Sequence, residues 1–396
     1  MKPEEIKDLE DKYLLRTYKR TDLYFSHGDG PYIFDLEGRR FLDFLAGISV
    51  NNLGYSHPRI VSVIAGQGKK LIHTSNLFYH QYQGLLAKKL TEISGMSRAF
   101  FANSGTEIIE ASMKLARAYG RAGGRAGKTK ILSLKNSFHG RTFGALSITA
   151  QEKYQAPFLP LVPDIEILED MTAGALEKAF SDNVCAIVLE PIQGEGGVFP
   201  MKADFMRTVR ELCDRYDALF IADEIQCGMG RTGKWFGFEH FDVRPDVVAL
   251  AKSLAAGYPL GALLGNEKVA GVLSPGDHGT TFGGGPLACR LALEAISIIE
   301  DEGLVSNAKE MGEYLMSGIL KIGEACPAVG EARGLGLMIG VELGGGAKAV
   351  FDSLLANGII ANVTRDTVLR LIPPLIINRG HCDEFLEALH AACGNR

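Results

Sequence analysis

Short runs of unbroken apolar residues alternate with segments of helical period along most of the chain. From Tyr32 to Leu45, YIFDLEGRRFLDFL reads as two short strands around a turn at Glu37 and Gly38. Beyond Gly54 the alternation becomes regular. EIIEASMKLARAYG (107–120) repeats its apolar positions at helical spacing, KTKILSL (128–134) predicts a strand, and ALEKAF (175–180) predicts another helix. VCAIVLEP (184–191), DFMRTVRELCDRYD (204–217), ALFIADE (218–224) and DVVALAKS (246–253) continue the series. Strands that are apolar at every position have both faces covered, and helices between them predict a mostly parallel sheet of the α/β class. PLACRLALEAISIIEDEGL (286–304) predicts a long helix. After it, strands such as LMIGVEL and VLRLIPPL alternate with helices such as KAVFDSLLANG and DEFLEALHAACG. At the other end, Ile6, Leu9, Tyr13 and Leu14 follow Pro3 at near-helical spacing, so residues 4–20 are either a short amphipathic helix or a frayed tail. The expected organisation is an N-terminal segment (1–50), a large domain (51–295) and a smaller C-terminal α/β domain (296–396).

Composition changes this picture in one respect. Of 396 residues, 46% are apolar and 22% charged, as in ordinary globular chains. Glycine, however, occurs 47 times, against about 28 expected at the average ~7% usage. The surplus means many tight turns or close approach of backbone to a ligand. Residues 120–129, GRAGGRAGKT, read as an exposed loop. The net charge of −5 and the absence of a basic block argue against nucleic acid and anionic membranes as partners. Seven scattered cysteines without a C-x-x-C pair exclude a disulfide framework or a structural zinc site. With no apolar h-region at the N-terminus and no apolar run near the ~18 residues of a membrane span, a cytoplasmic protein is expected.

Two strings imitate phosphate-binding loops. AGGRAGKT (122–129) relaxes the P-loop pattern, but a helix precedes it and a strand follows, the reverse of what a phosphate cradle needs. GMGRTG (228–233) follows a strand as a dinucleotide fingerprint should, yet KWFGFEHFD after it has no helical period. Neither is read as a nucleotide site.

The chemistry points elsewhere. Asp223 ends one apolar strand and Lys252 follows another, and ligands of open parallel sheets bind at the carboxyl ends of strands. A lysine desolvated there suits Schiff-base chemistry. A strand-end aspartate can keep the pyridine nitrogen of pyridoxal phosphate protonated. Taken singly, Lys252 could be a surface lysine and Asp223 a loop cap. Asn103-Ser104-Gly105-Thr106-Glu107 opens the helix at 107 and is either a phosphate site or a plain N-cap with Glu107 as its partner. Gly279 to Gly285 is either a second hydroxyl and glycine cluster for the same phosphate or a flexible loop.

FFANSGTE (100–107), SFHGRT (137–142), EPIQGEGGV (190–198), DEIQCGMGRTG (223–233), LAKSLAAGYPLGA (250–262), HGTTFGGGPLAC (278–289) and VLRLIPPL (368–375) occur in this order. Together they resemble the class III aminotransferases of pyridoxal-phosphate fold type I, and among them the acetylornithine/succinylornithine aminotransferases, over about residues 28–375. The resemblance implies a large mostly parallel-sheet domain with a smaller C-terminal one, a homodimer, and pyridoxal 5'-phosphate (PLP) as cofactor. It also implies transfer of a distal amine, that of N-acetylornithine before ornithine, succinylornithine, 4-aminobutyrate or carrier-linked lysine precursors, to 2-oxoglutarate.

By resemblance, Lys252 carries the cofactor and shuttles the proton, Asp223 pairs with the pyridine nitrogen and Gln226 with the phenolic oxygen. Phe138 and Ile225 would cover the two ring faces, and Ser104, Gly105 and Thr106 would hold the phosphate with Thr281 of the neighbouring subunit. Arg141 and Arg370 resemble the distal and proximal carboxylate clamps, Glu195 the gate that pairs with Arg370 when no proximal carboxylate is present, and Thr280 the contact to the acyl end. Without the family, each arginine reads as a surface ion pair. His139 is expected to position or pack, not to act as a base. The family commonly has Asn at Gly285, a glycine pair at Ala255 and Ala256, Ala-Asn at Ile108 and Ile109, and Thr at Cys227. None of these changes removes a catalytic group, but Gly285 lies where it bears on substrate preference.

Overall fold

The computed structural model describes residues 1–394. A helix spans Pro3–Tyr13 and buries no side chain. Strands β1 (Phe25–Asp29), β2 (Tyr32–Asp35) and β3 (Arg40–Asp43) then form an antiparallel meander. β2 and β3 flank the expected turn, whereas β1, FSHGD, escaped prediction because it is largely exposed and has no apolar alternation.

A seven-stranded sheet follows, made of β4 (Arg98–Ala102), β5 (Lys130–Leu134), β6 (Ile165–Leu168), β7 (Val184–Leu189), β8 (Leu219–Asp223), β9 (Val247–Leu250) and β10 (Gly261–Gly265). Their spatial order is β4-β10-β9-β8-β7-β5-β6, and only β10 runs against the rest. Successive residues of each strand feed opposite faces. Ile131, Val188 and Ile221 pack with Ile108, Ile109 and Leu115 of the helix Gly105–Arg121. Leu132, Ile187 and Phe220 pack with Leu176, Phe205 and Val209 from the helices Ala173–Ala179 and Ala203–Arg215. This double burial is the reason the strands read as apolar throughout.

The predicted helix 286–304 is two helices, Pro286–Asp301 and Leu304–Ala325, broken at Gly303, whose φ of 63° is left-handed. Residue 295 thus lies inside the first of them. Beyond, β11 (Ala332–Leu335), β12 (Met338–Glu342), β14 (Asn362–Thr364) and β15 (Val368–Leu371) form an antiparallel sheet ordered β11-β12-β15-β14, and β13 (Ile359–Ile360) joins β3 in parallel. The helix Arg379–Gly394 closes this part, with Phe385 stacked on Phe44 at 4.4 Å.

The decoy at 228–233 lies in turns after β8, and its last glycine opens no α-helix; only a short 3-10 helix, Gly237–Phe241, follows. Its Arg231 is fully buried and donates to Ser49 Oγ (3.0 Å) and Leu337 O (3.0 Å), and also to Pro373 O and Asn52 Oδ1. Burial lowers this guanidinium to about 9, against the attraction of Asp43. Ser49 closes a run of four residues, Ala46 to Ser49, whose φ values of 49°, 61°, 65° and 61° are all left-handed, and its hydroxyl also donates to Gln226 O (3.2 Å).

The other decoy sits between a helix and β5, as its context predicts. The stretch 120–129, expected as an exposed loop, is not loop throughout, however. Gly120 belongs to the helix, where an added Cβ would collide with the Lys128 carbonyl and lie 2.6 Å from Cys185 Cβ, while Lys128 donates to Tyr216 O at 2.6 Å. Gly127 has open space around it and an ordinary φ. Gly120→Ala is therefore expected to destabilise by about 2–3 kcal/mol through overpacking, and Gly127→Ala to stay within about 0.5 kcal/mol. Denaturant unfolding of both variants reads the contrast.

Candidate active site

β7, β8 and β9 lie side by side and parallel, with Leu189 opposite Ala222 and Asp223 opposite Ala249. Glu190, Asp223 and Lys252 therefore leave the sheet at one edge. The loop after β5 adds Phe138, His139 and Arg141, and the helix start after β4 adds Gly105 and Thr106. With Glu195, Ile225 and Gln226, these residues line one cavity of about 240 Å³.

Asp223 is 3% exposed. Its Oδ2 lies 2.7 Å from His139 Nδ1, and its Oδ1 accepts from the Ile225 amide at 3.1 Å. Burial opposes charge on His139, but the hydrogen bond and the charge of Asp223, helped by Glu190, hold the imidazolium above its usual value. His139 thus touches the Asp223 carboxylate and is buried with it. Glu190, which sequence reasoning passed over, accepts from the amides of Phe138 (3.1 Å) and Gly194 (3.3 Å). Burial pushes its carboxyl up to about 7.

Lys252 begins a short 3-10 turn directly after β9 and has a left-handed φ of 44°, a strained conformation for a residue with a Cβ. Burial lowers its ammonium below the usual lysine value; Glu195 opposes this, and the charge of Arg370 adds to it. Ala256 also has a left-handed φ of 51°, a conformation that suits glycine better than alanine, and Ala255 is fully buried. Ile108 and Ile109 are buried in the helix, and Gly285 caps the helix Pro286–Asp301. Cys227 Sγ donates to Glu224 Oε2 at 3.2 Å.

Arg370, 1% exposed, forms an ion pair with Glu195. Its Nη1 also reaches Gln226 Oε1 at 3.4 Å, and its Nε donates to Asn362 Oδ1 at 3.1 Å. Arg370 and Glu195, 175 residues apart, meet as expected. Burial disfavours the Glu195 carboxylate, but the charge and hydrogen bond of Arg370 lower it below the ordinary range. At the mouth, Arg141 lies over the rings of Tyr154 (3.8 Å) and Phe138 (5.4 Å). Tyr154 and Asn362 carried no sequence signal, since their partners come from other loops and strands.

Four expected residues do not line the cavity: Arg370 stands behind Glu195 and Gln226, and Ser104, Thr280 and Thr281 lie elsewhere. Ser104 is the N-cap: its Oγ accepts from the Glu107 amide and donates to Glu107 Oε2 at 3.0 Å. Thr280 Oγ1 accepts from Asn103 Nδ2 at 3.1 Å behind that cap, and Thr281 is exposed. Among the described residues, Cys185, Cys213, Cys227, Cys289, Cys326 and Cys382 are free thiols and no metal-ligating cluster occurs.

The family model for aminotransferase class-III matches residues 13–393. An acetylornithine aminotransferase of Methanocaldococcus jannaschii is 46% identical over 389 residues, covering 96% of each chain. Among solved structures, an ornithine aminotransferase of Toxoplasma gondii, with PLP at partial occupancy in its active site, superposes with a TM-score of 0.96 at 33% identity, covering 100% of this chain and 94% of its own. An acetylornithine aminotransferase of Elizabethkingia anophelis superposes with a TM-score of 0.89 at 32% identity over the whole of both chains. On the family match and this identity along its length, the chain belongs to the class-III aminotransferases.

Proposed function

We propose that the chain is a PLP-dependent acetylornithine aminotransferase. It would move the distal amine of N-acetyl-L-ornithine to 2-oxoglutarate, giving N-acetyl-L-glutamate 5-semialdehyde and L-glutamate, a step of arginine biosynthesis. The observation that carries this reading is the Glu195–Arg370 ion pair, whose Glu195 lines the same cavity as Lys252.

The residues fit PLP. At one end, the start of a 17-residue helix offers backbone amides beside the Thr106 hydroxyl, and a Cβ at Gly105 would come 2.9 Å from Ile225 Cδ1, so only glycine leaves that end open. Beneath lies the buried Asp223–His139 pair. When bound, PLP supplies an electron sink for the pair left on the reacting carbon. Asp223 would hold the proton on the pyridine nitrogen, and Gln226 would bond the phenolic oxygen. Phe138 and Ile225 would fix the ring plane. Ser104 would order the helix start, while Gly105 and Thr106 hold the phosphate. Lys252, its ammonium destabilised by burial, would anchor the cofactor and carry the proton at the reacting carbon.

An ω-amine donor brings no carboxylate to Arg370, so Glu195 neutralises it; the proximal carboxylate of 2-oxoglutarate takes the place of Glu195. Arg141 would bind the distal carboxylate and Thr280 the acyl end. A homodimer accounts for two further features. Leu77, Phe78, Tyr79 and Phe282 are strongly exposed, and Asn76 ties their segments together by donating to the carbonyls of Thr280 and Gly283. Thr281 would reach the phosphate of the second copy. We carry forward the division at 50 and 295 and a cytoplasmic location on the same footing; no helix among the described residues is long and apolar enough to cross a membrane.

The test is to load the purified protein with PLP and titrate acetylornithine, ornithine, succinylornithine and 4-aminobutyrate separately, following the cofactor's visible spectrum and glutamate formed from 2-oxoglutarate. Acetylornithine is expected to react at the lowest concentration. Preference for ornithine, the substrate in the name of the Toxoplasma neighbour, would replace the donor assignment; no bound cofactor would sink the reading.

A further inference from the structure

The backbone of the gate segment is held from the C-terminal sheet. Three consecutive carbonyls, those of Glu195, Gly196 and Gly197, accept from Thr364 Oγ1 (2.7 Å), Arg365 Nη1 (3.3 Å) and Arg333 Nε (3.0 Å). Thr364 and Arg333 are buried, and Arg333 is itself fixed by Glu331 (3.2 Å), by Glu342 (3.3 Å) and by the ring of Phe199 beneath it (3.8 Å). Thr364 and Arg365 sit at the tip of the hairpin β14–β15, which turns through Arg365 and Asp366 in left-handed conformation (φ 52° and 63°). The same hairpin carries Arg370, directly opposite Asn362 in register and bonded to it. One hairpin thus bears the clamp guanidinium, the amide that orients it, and two of the three anchors of the gate's main chain.

We propose that the hairpin 362–371, with Arg333, is the mounting of the carboxylate gate. Thr364, Arg365 and Arg333 pin the main chain of residues 195–197, so that Glu195 leaves Arg370 by rotation of its side chain and not by movement of the loop. Asn362 sets the plane in which the guanidinium meets either carboxylate. All four are positioning residues, since none touches the reacting atoms. The inference rests on the reading that Glu195 and Arg370 gate the two half-reactions.

Because the gate is seated in one half-reaction and open in the other, the two kinds of anchor separate kinetically. Thr364→Val keeps shape and burial but removes the donor to Glu195 O. It is expected to slow the half-reaction with acetylornithine about five- to tenfold, the worth of one net hydrogen bond, and to leave the half-reaction with 2-oxoglutarate within about twofold. Thr364→Ser restores the donor and the rate. Asn362→Ala is expected to give the opposite split, slowing the 2-oxoglutarate half-reaction. It should also weaken calorimetric binding of glutarate, a dicarboxylate without a reactive carbonyl, to the PLP-loaded protein by about tenfold, an effect absent in Thr364→Val. Equal slowing of both half-reactions in each variant, or no change in either, overturns the proposal. If the unmodified protein binds PLP but does not react with 2-oxoglutarate, the proposed function fails instead, and the glutarate titrations of the two variants still decide whether the hairpin sets the clamp.

Discussion

Lys252→Ala is expected to lower amine transfer by about four orders of magnitude and to abolish the visible absorbance of the lysine-linked cofactor, with the far-ultraviolet circular dichroism unchanged. Two effects combine in that number. On the proposed function, the side chain would anchor the cofactor and its amine would carry the proton at the reacting carbon, which a water molecule in a cavity of about 240 Å³ does poorly. Folding should survive, because Lys252 makes no salt bridge among the described residues and its left-handed φ of 44° costs alanine no more than it costs lysine. Lys252→Arg is expected to be as inactive as alanine, because a guanidinium stays protonated and cannot take up the proton. Normal turnover in either variant would remove Lys252 from the mechanism.

Asp223→Asn should cost about 10²–10³-fold in turnover, the scale of losing one preorganised charge in a water-poor site. The substitution is nearly isosteric, and the amide oxygen can still accept from the Ile225 amide, so the turn after β8 stays in place. What disappears is the negative charge that, on the proposed function, would hold a proton on the pyridine nitrogen, and that raises His139 above its usual value. His139 should then titrate lower, with burial unopposed except by Glu190. Proton NMR of the imidazole reads that shift independently of turnover. Activity within threefold of the unmodified protein would show that the ring nitrogen needs no anion.

How much of this was legible in the sequence depended on whether the signal was local. Strands β5, β7, β8 and β9 could be read because the sheet is buried on both faces, which leaves an unbroken apolar run. β1 could not, since FSHGD is mostly exposed and its pairing with β2 is the only thing that makes it a strand. The helix at 286 was read through Gly303 because apolar residues continue on both sides; a single left-handed glycine reset the axis. The placement of Asp223 and Lys252 at strand ends could be read from the pattern, while their roles came only from the resemblance. Residues whose role lies in a bond to a distant loop were silent: Glu190 looked like one acid in a motif, Asn362 like a polar strand residue, and Tyr154 like a loop aromatic. Arg231 was visible only inside a string that imitated a nucleotide site. Ser104 could be read either way, and its hydroxyl performs the cap.

The left-handed run from Ala46 to Ser49 bears on the order in which the molecule is assembled. Each non-glycine residue in that conformation costs about 1–2 kcal/mol, which the Asp43 carboxylate, accepting from the amides of Leu45 and Ala46, and the bonds within the turn offset only in part. Its anchors, Gln226 O and the Arg231 guanidinium, lie about 180 residues downstream, 177 and 182 positions away. During synthesis these two contacts can form only after β8 and the turns after it have emerged. Gln226, whose carbonyl accepts from Ser49, also lines the cavity, so the finished site includes this contact between the N-terminal segment and the turns after β8. A ligand that binds only the finished cavity then stabilises the completed molecule over every partly assembled one, which makes cofactor loading a checkpoint on the closure of the N-terminal segment.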